Sequence, residues 1–318
     1  MRATSSRRAW KLVAIVVTLL TAAFLAVGFV GVGRYAWNYW LYRGFPPPVD
    51  PGYVAVPGTE QKIDVTSPAL SGRTQPVYVY LPPGYDAHPT EHYPVIYLLH
   101  GFPGRPQAFL LTVRMGVVED ELYAKNLGKP AILVMPYGST GTFTDKEWVD
   151  GVSPGEGWAT FVARDVVQAI DARYRTIPTA DGRSIAGLSE GGYGAINIAL
   201  HHPSEFGVVE SWSGYERPAR LHDIFGRNLQ GLSANDPFTL LPHVVPDLRR
   251  VGTYFWFYSG TKDPLHAQNA LFAAELQKFH IPHMYFLVRG GHNWALWRGE
   301  AERAYLAAVR RLSGANGA

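Results

Sequence analysis

Gly187-Leu188-Ser189-Glu190-Gly191 sets a serine among small residues in the pattern G-x-S-x-G. A serine hydroxyl is a weak nucleophile near neutral pH. It needs an adjacent base, and the base needs a carboxylate to orient it. Two later segments supply those residue types after apolar runs. YFWFY (254–258) leads through Ser259-Gly260-Thr261-Lys262 to Asp263, and MYFLV (284–288) leads through Arg289-Gly290-Gly291 to His292. Nucleophile, acid and base in that order, each after a strand-like run, suit acyl transfer at one end of a parallel sheet. Asp236, Asp247 and Glu275 are weaker acid candidates because no such run feeds them. His266, His280 and His283 precede the last run and are weaker bases. The bland alternative for Asp263 is that it caps a helix starting near Leu265.

Attack on a carbonyl also creates an oxyanion that needs preplaced N–H donors. One is the amide of Glu190, directly after the nucleophile. The other falls in His100-Gly101-Phe102-Pro103-Gly104, where Pro103 has no N–H to give; Phe102 is the first choice and Gly101 the second. His100 could resemble a metal ligand, but no H-E-x-x-H or similar cluster accompanies it. His201-His202 before Pro203 suits a helix end. Trp148, Trp158 and Trp294 are candidate substrate-pocket residues, with a place in the core or on the rim as the equal alternative. No motif for a metal or cofactor stands out, so none is assigned. The absence of cysteine excludes a thiolate site and a cysteine nucleophile.

The segments that must position these residues alternate. Candidate strands are 76–81, 94–99, 131–135, 183–186, 208–212, 254–258 and 284–288, several of them apolar without alternation, as in strands buried on both faces. Val162, Val166 and Ile170 recur at helical spacing, and 192–201, 267–279 and 300–312 read as further helices. The pattern is α/β, with a mostly parallel central sheet flanked by helices and an antiparallel start inferred from hairpin-like spacing over 61–81. The strand RSIA before the serine and the helical YGAINIALHH after it give a sharp strand–turn–helix in which Gly187, Gly191, Gly192 and Gly194 leave room. Residues 215–251 form a long insertion and a candidate cap over the site, with motifs RPAR (217–220), NDPF and LLPH.

The uncharged run Leu12–Val32 spans roughly 31 Å as a helix, enough for one bilayer crossing. Arg2, Arg7, Arg8 and Lys11 precede it, while Arg34 and Arg43 follow more sparsely, and aromatic residues crowd residues 35–42. The charge bias puts residues 1–11 in the cytoplasm and the rest outside. The expected organisation is a basic tail (1–11), a transmembrane signal anchor (12–32), an aromatic and Pro-rich linker (33–52) and a catalytic domain (53–318). This places the chain at the cell membrane as a single-pass protein with its catalytic domain extracytoplasmic; secretion after signal cleavage is the alternative. With a net charge of +3 and scattered Lys and Arg, nucleic acid is not an expected partner.

VYVYLPPGY (77–85), YPVIYLLHGFPG (93–104), FVARDVVQAIDARYR (161–175), SIAGLSEGGYGA (184–195), YSGTKDP (258–264) and GGHNWALW (290–297) together resemble the esterase family that includes feruloyl esterases, S-formylglutathione hydrolases and secreted mycolyltransferase antigens. The resemblance covers roughly 53–312. It implies an α/β-hydrolase fold, Ser189 as nucleophile, Asp263 as acid, His292 as base, and the Phe102 and Glu190 amides as oxyanion donors. Asp263 stands where the mycolyltransferases usually carry Glu, and the export segment departs from the typically cytosolic S-formylglutathione hydrolases. The implied activity is hydrolysis of a carboxylic ester, with an envelope lipid or glycan ester as a plausible substrate. Acyl transfer to a sugar or lipid hydroxyl and a non-catalytic envelope-binding role are the alternatives.

Overall fold

The computed structural model describes residues 3–141, 143–217 and 221–313, with side chains from Trp10 onward. Arg2 of the basic tail and Pro218–Arg220 of the RPAR segment lie outside the described residues. Two compact units emerge, Met1–Pro47 and Pro48–Ala318.

The first unit is built on one helix, Ala3–Tyr42. Its stretch Trp10–Tyr42 has a mean hydropathy of 2.7 and is long and apolar enough to cross a membrane. Phe24, Leu25, Phe29 and Val30 all stand exposed on it. Near the C-terminal end, Tyr35 stacks on Tyr39 and Trp37 tilts against Trp40.

In the second unit, eight strands of the described residues form one sheet: β1 (Thr59–Ser67), β2 (Arg73–Leu81), β3 (Val95–Leu99), β4 (Ile132–Pro136), β5 (Arg183–Leu188), β6 (Val208–Trp212), β7 (Tyr254–Gly260) and β8 (His283–Val288). Their order is β1-β2-β4-β3-β5-β6-β7-β8. β1 and β2 pair antiparallel, as do β2 and β4; from β4 through β8 every pairing is parallel. The lack of alternation in the central runs has a direct cause. In β3, Val95, Tyr97 and Leu99 face one hydrophobic cluster while Ile96 and Leu98 face the other. Both faces are covered, so every position is apolar.

The helix Glu190–His201 follows β5 and is buried along almost its whole length. Phe161–Val166 winds as a π-helix and continues as the α-helix Val167–Arg173, burying Val162, Val166 and Ile170 as their spacing requires. The helix His266–Lys278 lies between β7 and β8, and Trp294–Gly299 and Ala301–Val309 close the described chain.

The C-terminal half of the long 215–251 insertion is not a cap. Its main element, the helix Pro237–Val251, buries Leu241, Val245 and Leu248 in the cluster that also holds Ile198 and Phe255. Asp236 caps it by accepting from Phe238 N at 2.9 Å. It is the crossover from β6 to β7 and belongs to the core. Two shorter helices, Leu221–Phe225 and Leu229–Ala234, precede it.

Leu241→Ala separates a core helix from a lid. Loss of a fully buried leucine side chain is expected to cost about 2–5 kcal/mol. Urea unfolding should show that loss; an unchanged midpoint would mean the helix does not pack as described.

Candidate active site

Ser189 occupies the turn between β5 and the helix Glu190–His201 with φ 56° and ψ −121°. A side-chain-bearing residue there is strained, and only close packing on every side sustains it. A Cβ on Gly187 would come within 2.1 Å of Gly191 O, one on Gly191 within 1.9 Å of Leu99 O, and one on Gly192 within 2.6 Å of Ser211 Oγ. These glycines are therefore needed for close approach of backbone to backbone, not only for flexibility.

Ser189, His292 and Asp263 meet. Asp263 follows β7 and is fully buried. Burial acts to raise its carboxyl, but hydrogen bonds from His292 and the Leu265 amide outweigh that and hold it below the usual carboxylate range. An ionised carboxylate can only accept, which fixes the direction of the next bond. His292 Nδ1 donates to Asp263 Oδ2 at 2.9 Å, leaving Nε2 free to accept from Ser189 Oγ at 2.8 Å. Asp263 also caps: its Oδ1 accepts from Leu265 N at 2.9 Å. The two readings of this residue are not rivals, because each uses a different oxygen.

The acid and base loops are tied to each other. Thr261 N donates to Val288 O and Lys262 N to Gly290 O, both at 2.8 Å. A Cβ on Gly260 would lie 2.6 Å from Gly290 O. After His292, Asn293 caps the helix Trp294–Gly299, its Oδ1 accepting from Leu296 N at 3.1 Å. Trp297 of that helix sets its ring edge against His292, with centroids 5.0 Å apart.

The other acids and histidines singled out in the sequence lie outside the Asp263–His292–Ser189 chain of side-chain bonds. Asp236 is a helix cap, Asp247 pairs with Arg250 and Glu275 with Lys278. His266 Nδ1 lies 2.6 Å from Asp263 O and His283 Nδ1 2.9 Å from Ile281 O. His280 takes a positive φ of 51° at the end of its helix.

The loop 100–104 lies against the serine: a Cβ on Gly101 would be 3.1 Å from Ser189 Cβ. Burial pushes the His100 imidazole down to about 4, opposed by its bond to Gly101. A neutral ring has one donor and one acceptor. Gly138 N donates to Nε2 at 3.3 Å, so Nδ1–H donates to Gly101 O at 3.0 Å. His100 is thus a brace between the ends of β3 and β4, a role the sequence did not disclose.

Two of the three tryptophans belong to the scaffold. Trp148 is fully buried, packs against Gly138 and Gly194, and donates its indole N–H to His100 O at 3.1 Å. It holds the loop beside Ser189 from behind. Trp158 is buried in the core with its indole N–H on Glu156 at 2.9 Å. Only Trp294 is partly exposed, packed edge-on against Trp297. The expectation that Trp148 and Trp158 line the pocket is corrected; ring size drew both into the core.

Asp145, Glu147 and Glu190 place carboxyl oxygens within 4.8 Å of one another, close enough to share a cation. Burial, then the charges of Asp145 and Glu147, raise the Glu190 carboxyl well above its ordinary value. Tyr215 OH donates to Glu147 at 2.7 Å and Glu147 N to Asp145 at 3.0 Å.

The fold is that of an α/β-hydrolase. The profile of the Esterase family matches residues 67–305, and the chain belongs to that family. An uncharacterized protein of Corynebacterium glutamicum is 27% identical over 236 residues, 70% of this chain and 54% of that one. An esterase of Mycobacterium tuberculosis is 37% identical over 134 residues, 42% of this chain and 27% of that one. The chain therefore spans about half the length of the first curated relative and about a quarter of the second. The solved structure of a ferulic acid esterase superposes with a TM-score of 0.70 at 23% identity, covering 80% of this chain and 100% of that one.

Gly191→Ala tests the turn. With a methyl group driven 1.9 Å from Leu99 O, the variant is expected to lose about 3 kcal/mol or more of stability, the range of severe backbone and packing defects. Thermal unfolding of a variant as stable as the parent would contradict the packing at this turn.

Proposed function

We propose that the chain is a serine esterase that cleaves carboxylic esters through an acyl-enzyme, with Ser189 as nucleophile, His292 as base and Asp263 as the acid that orients it. The observation that carries the reading is the continuous hydrogen-bonded chain from Asp263 Oδ2 through both nitrogens of His292 to Ser189 Oγ. Membership of a family named for esterases supports the same chemistry.

In the first half-reaction Ser189 Oγ bonds to the ester carbon and His292 Nε2 takes the hydroxyl proton. Asp263 stabilises the imidazolium that results and does not itself become protonated. The carbonyl oxygen becomes an oxyanion, for which the amides of Glu190 and Phe102 are the proposed donors. Collapse breaks the bond to the alcohol, which leaves with the proton from His292. Water then repeats the sequence and releases the acid. An alcohol in place of water would yield a new ester from the same acyl-enzyme, so product analysis with added alcohol reports how the intermediate partitions.

A fluorophosphonate probe should label the protein on Ser189, and Ser189→Ala should abolish both labelling and turnover. Asp263→Asn favours the wrong tautomer of His292 and should lower turnover roughly ten-thousand-fold, while costing little in helix capping because Asn caps about as well as Asp. Sustained turnover in folded Ser189→Ala would reject the mechanism.

The same proposal includes a tether: the helix Ala3–Tyr42 crosses the membrane once with residues 1–11 inside. The apolar stretch Trp10–Tyr42 and the sequence's charge bias support it. Protease added to intact spheroplasts should then remove the hydrolase unit. Full protection of that unit would reverse the topology.

A further inference from the structure

Ser213 is the first residue after β6 and is fully buried. It takes φ 52°, in the left-handed region that a side-chain-bearing residue adopts at a cost. Strain of this kind persists only where the surroundings enforce it, and here they tie Ser213 to two members of the triad.

Ser189 N donates to Trp212 O at 3.1 Å, and Ser213 N donates to Tyr258 O at 2.8 Å. Trp212 O and Ser213 N belong to one peptide group. That group bonds the nucleophile turn on one side and β7, the strand that leads to Asp263, on the other. The next residue is held as closely. Asn269 Nδ2 donates to Gly214 O at 2.8 Å and to Leu265 O at 3.1 Å, which sets Gly214 beside Leu265. Leu265 N in turn donates to Asp263 Oδ1 at 2.9 Å. A Cβ on Gly214 would come within 2.2 Å of Ser211 Oγ and 2.9 Å of the Gly192 carbonyl carbon, so the turn has no room to shift. Ser213 is thus clamped between the turn of Ser189 and the loop of Asp263.

Its hydroxyl faces the Asp263 carboxyl. Among the described residues Ser213 Oγ has no partner of full hydrogen-bond geometry, and a buried polar atom in that condition calls for an explanation. The group it acts on is Asp263. Burial works to raise that carboxyl, and the His292 ring, the Leu265 amide and lastly the Ser213 hydroxyl hold it down. An ionised carboxylate only accepts, so the hydroxyl is the donor. Hydrogen bonds of a catalytic site are often long or poorly aligned without substrate and tighten as the reaction proceeds.

We propose that Ser213 is a positioning residue of the triad, whose left-handed backbone holds its hydroxyl against Asp263 as a further donor and so keeps that carboxylate aimed at His292. The proposal rests on the serine-esterase reading of the triad. Asp263 Oδ2 receives His292 and Oδ1 receives the Leu265 amide. A carboxylate has room for more than two donors, and in a buried site an unfilled acceptor is costly. The Ser213 hydroxyl supplies the next donor from the β6 side. Without it the carboxylate is free to turn about its Cβ–Cγ bond, and the Oδ2–Nδ1 bond loses alignment in the step where His292 becomes a cation. Ser213 is fully buried and so out of reach of a substrate. Its loss should therefore lower kcat and leave KM little changed. The expected loss is roughly tenfold, the scale of one hydrogen bond to a charged group.

The test uses the full chain in detergent, with Ser213→Ala and Ser213→Gly as variants. Both remove the hydroxyl. Glycine accepts a positive φ freely while alanine keeps the strain of serine, so the pair separates side chain from backbone. On a short-chain model ester kcat should fall roughly tenfold in both. In an Asp263→Asn background, Ser213→Ala should cost no more than about twofold, because the two residues act through one side chain. Melting temperatures show which variants are folded. Parental kcat in either folded variant would overturn the role of the hydroxyl. An undiminished loss from Ser213→Ala in the Asp263→Asn background would overturn its action through Asp263. Fluorophosphonate labelling keeps the two readings apart. An unlabelled parent would defeat the esterase reading, whereas a labelled parent with Ser213 variants of parental kcat would defeat only the role of Ser213.

Discussion

The backbone of Ser189 is held at φ 56° and ψ −121° by contacts that leave no space for a single added methyl group at three neighbouring glycines. That constraint organises the molecule. The turn must pass from a central strand into a helix within one residue, so the helix Glu190–His201 has to start against the ends of β3 and β6. Gly191 touches Leu99 O at the end of β3, and Gly192 approaches Ser211 and Gly214 at the end of β6. Displacing either neighbour would open the turn. The strain at the serine is thus sustained by the order of strands in the sheet, as expected for strained residues at functional sites.

The parallel sheet explains how residues more than a hundred positions apart come within hydrogen-bonding distance. The loops after β3, β5, β6, β7 and β8 all leave from one end of the sheet, and each delivers a single element: the loop 100–104, Ser189, Ser213, Asp263 and His292. Beneath them runs a second layer of braces. His100 is locked neutral between Gly101 and Gly138, and Trp148 reaches under it to bond the His100 carbonyl. Trp297 sets the ring of His292 from the side. A reactive group held by its own packing and by a supporting shell retains its geometry better than one on a free loop.

Much of this was legible in the sequence because central strands buried on both faces leave uninterrupted apolar runs. Seven candidate runs, several of them of this kind, became strands, and Ser189, Asp263 and His292, each after one of them, lie within hydrogen-bonding distance in one chain. The pieces that stayed hidden were hidden for physical reasons. β1 has Glu60, Lys62 and Asp64 exposed, and only Ile63, Val65 and Ser67 turn inward. As an edge strand it needs few apolar residues, so its spacing suggested a hairpin without giving its bounds. The helix Met115–Ala124 buries Glu119 and Asp120, which blurs an amphipathic pattern. Trp148 and Trp158 have the same composition whether they line a pocket or fill a core; three-dimensional packing alone separates the two.

Buried acids show why burial by itself does not mark function in this fold. Glu119 accepts from Ala131 N at 2.8 Å and from Tyr305 OH at 2.9 Å, joining the helix Met115–Ala124 to the helix Ala301–Val309. Asp120 accepts from Gly58 N at 2.9 Å and Tyr80 OH at 2.7 Å, pinning the chain that leads into β1. Glu210 accepts from the indole of Trp212 at 2.9 Å. Each of these has a donor that offsets part of its desolvation, and Glu119 and Asp120 each tie together two segments far apart in the chain. Their role is structural, and a neutral hydrogen-bonding replacement could fill much of it. Asp263 differs because one of its donors is an imidazole that also bonds Ser189, so its bond extends into a chain of side chains instead of ending at one donor. Glu216 differs in the opposite sense, since no donor among the described residues accounts for its burial. What separates the two kinds of acid is the nature of the donor that offsets burial: a main-chain amide, phenol or indole for Glu119, Asp120 and Glu210, and an imidazole, itself bonded to Ser189, for Asp263.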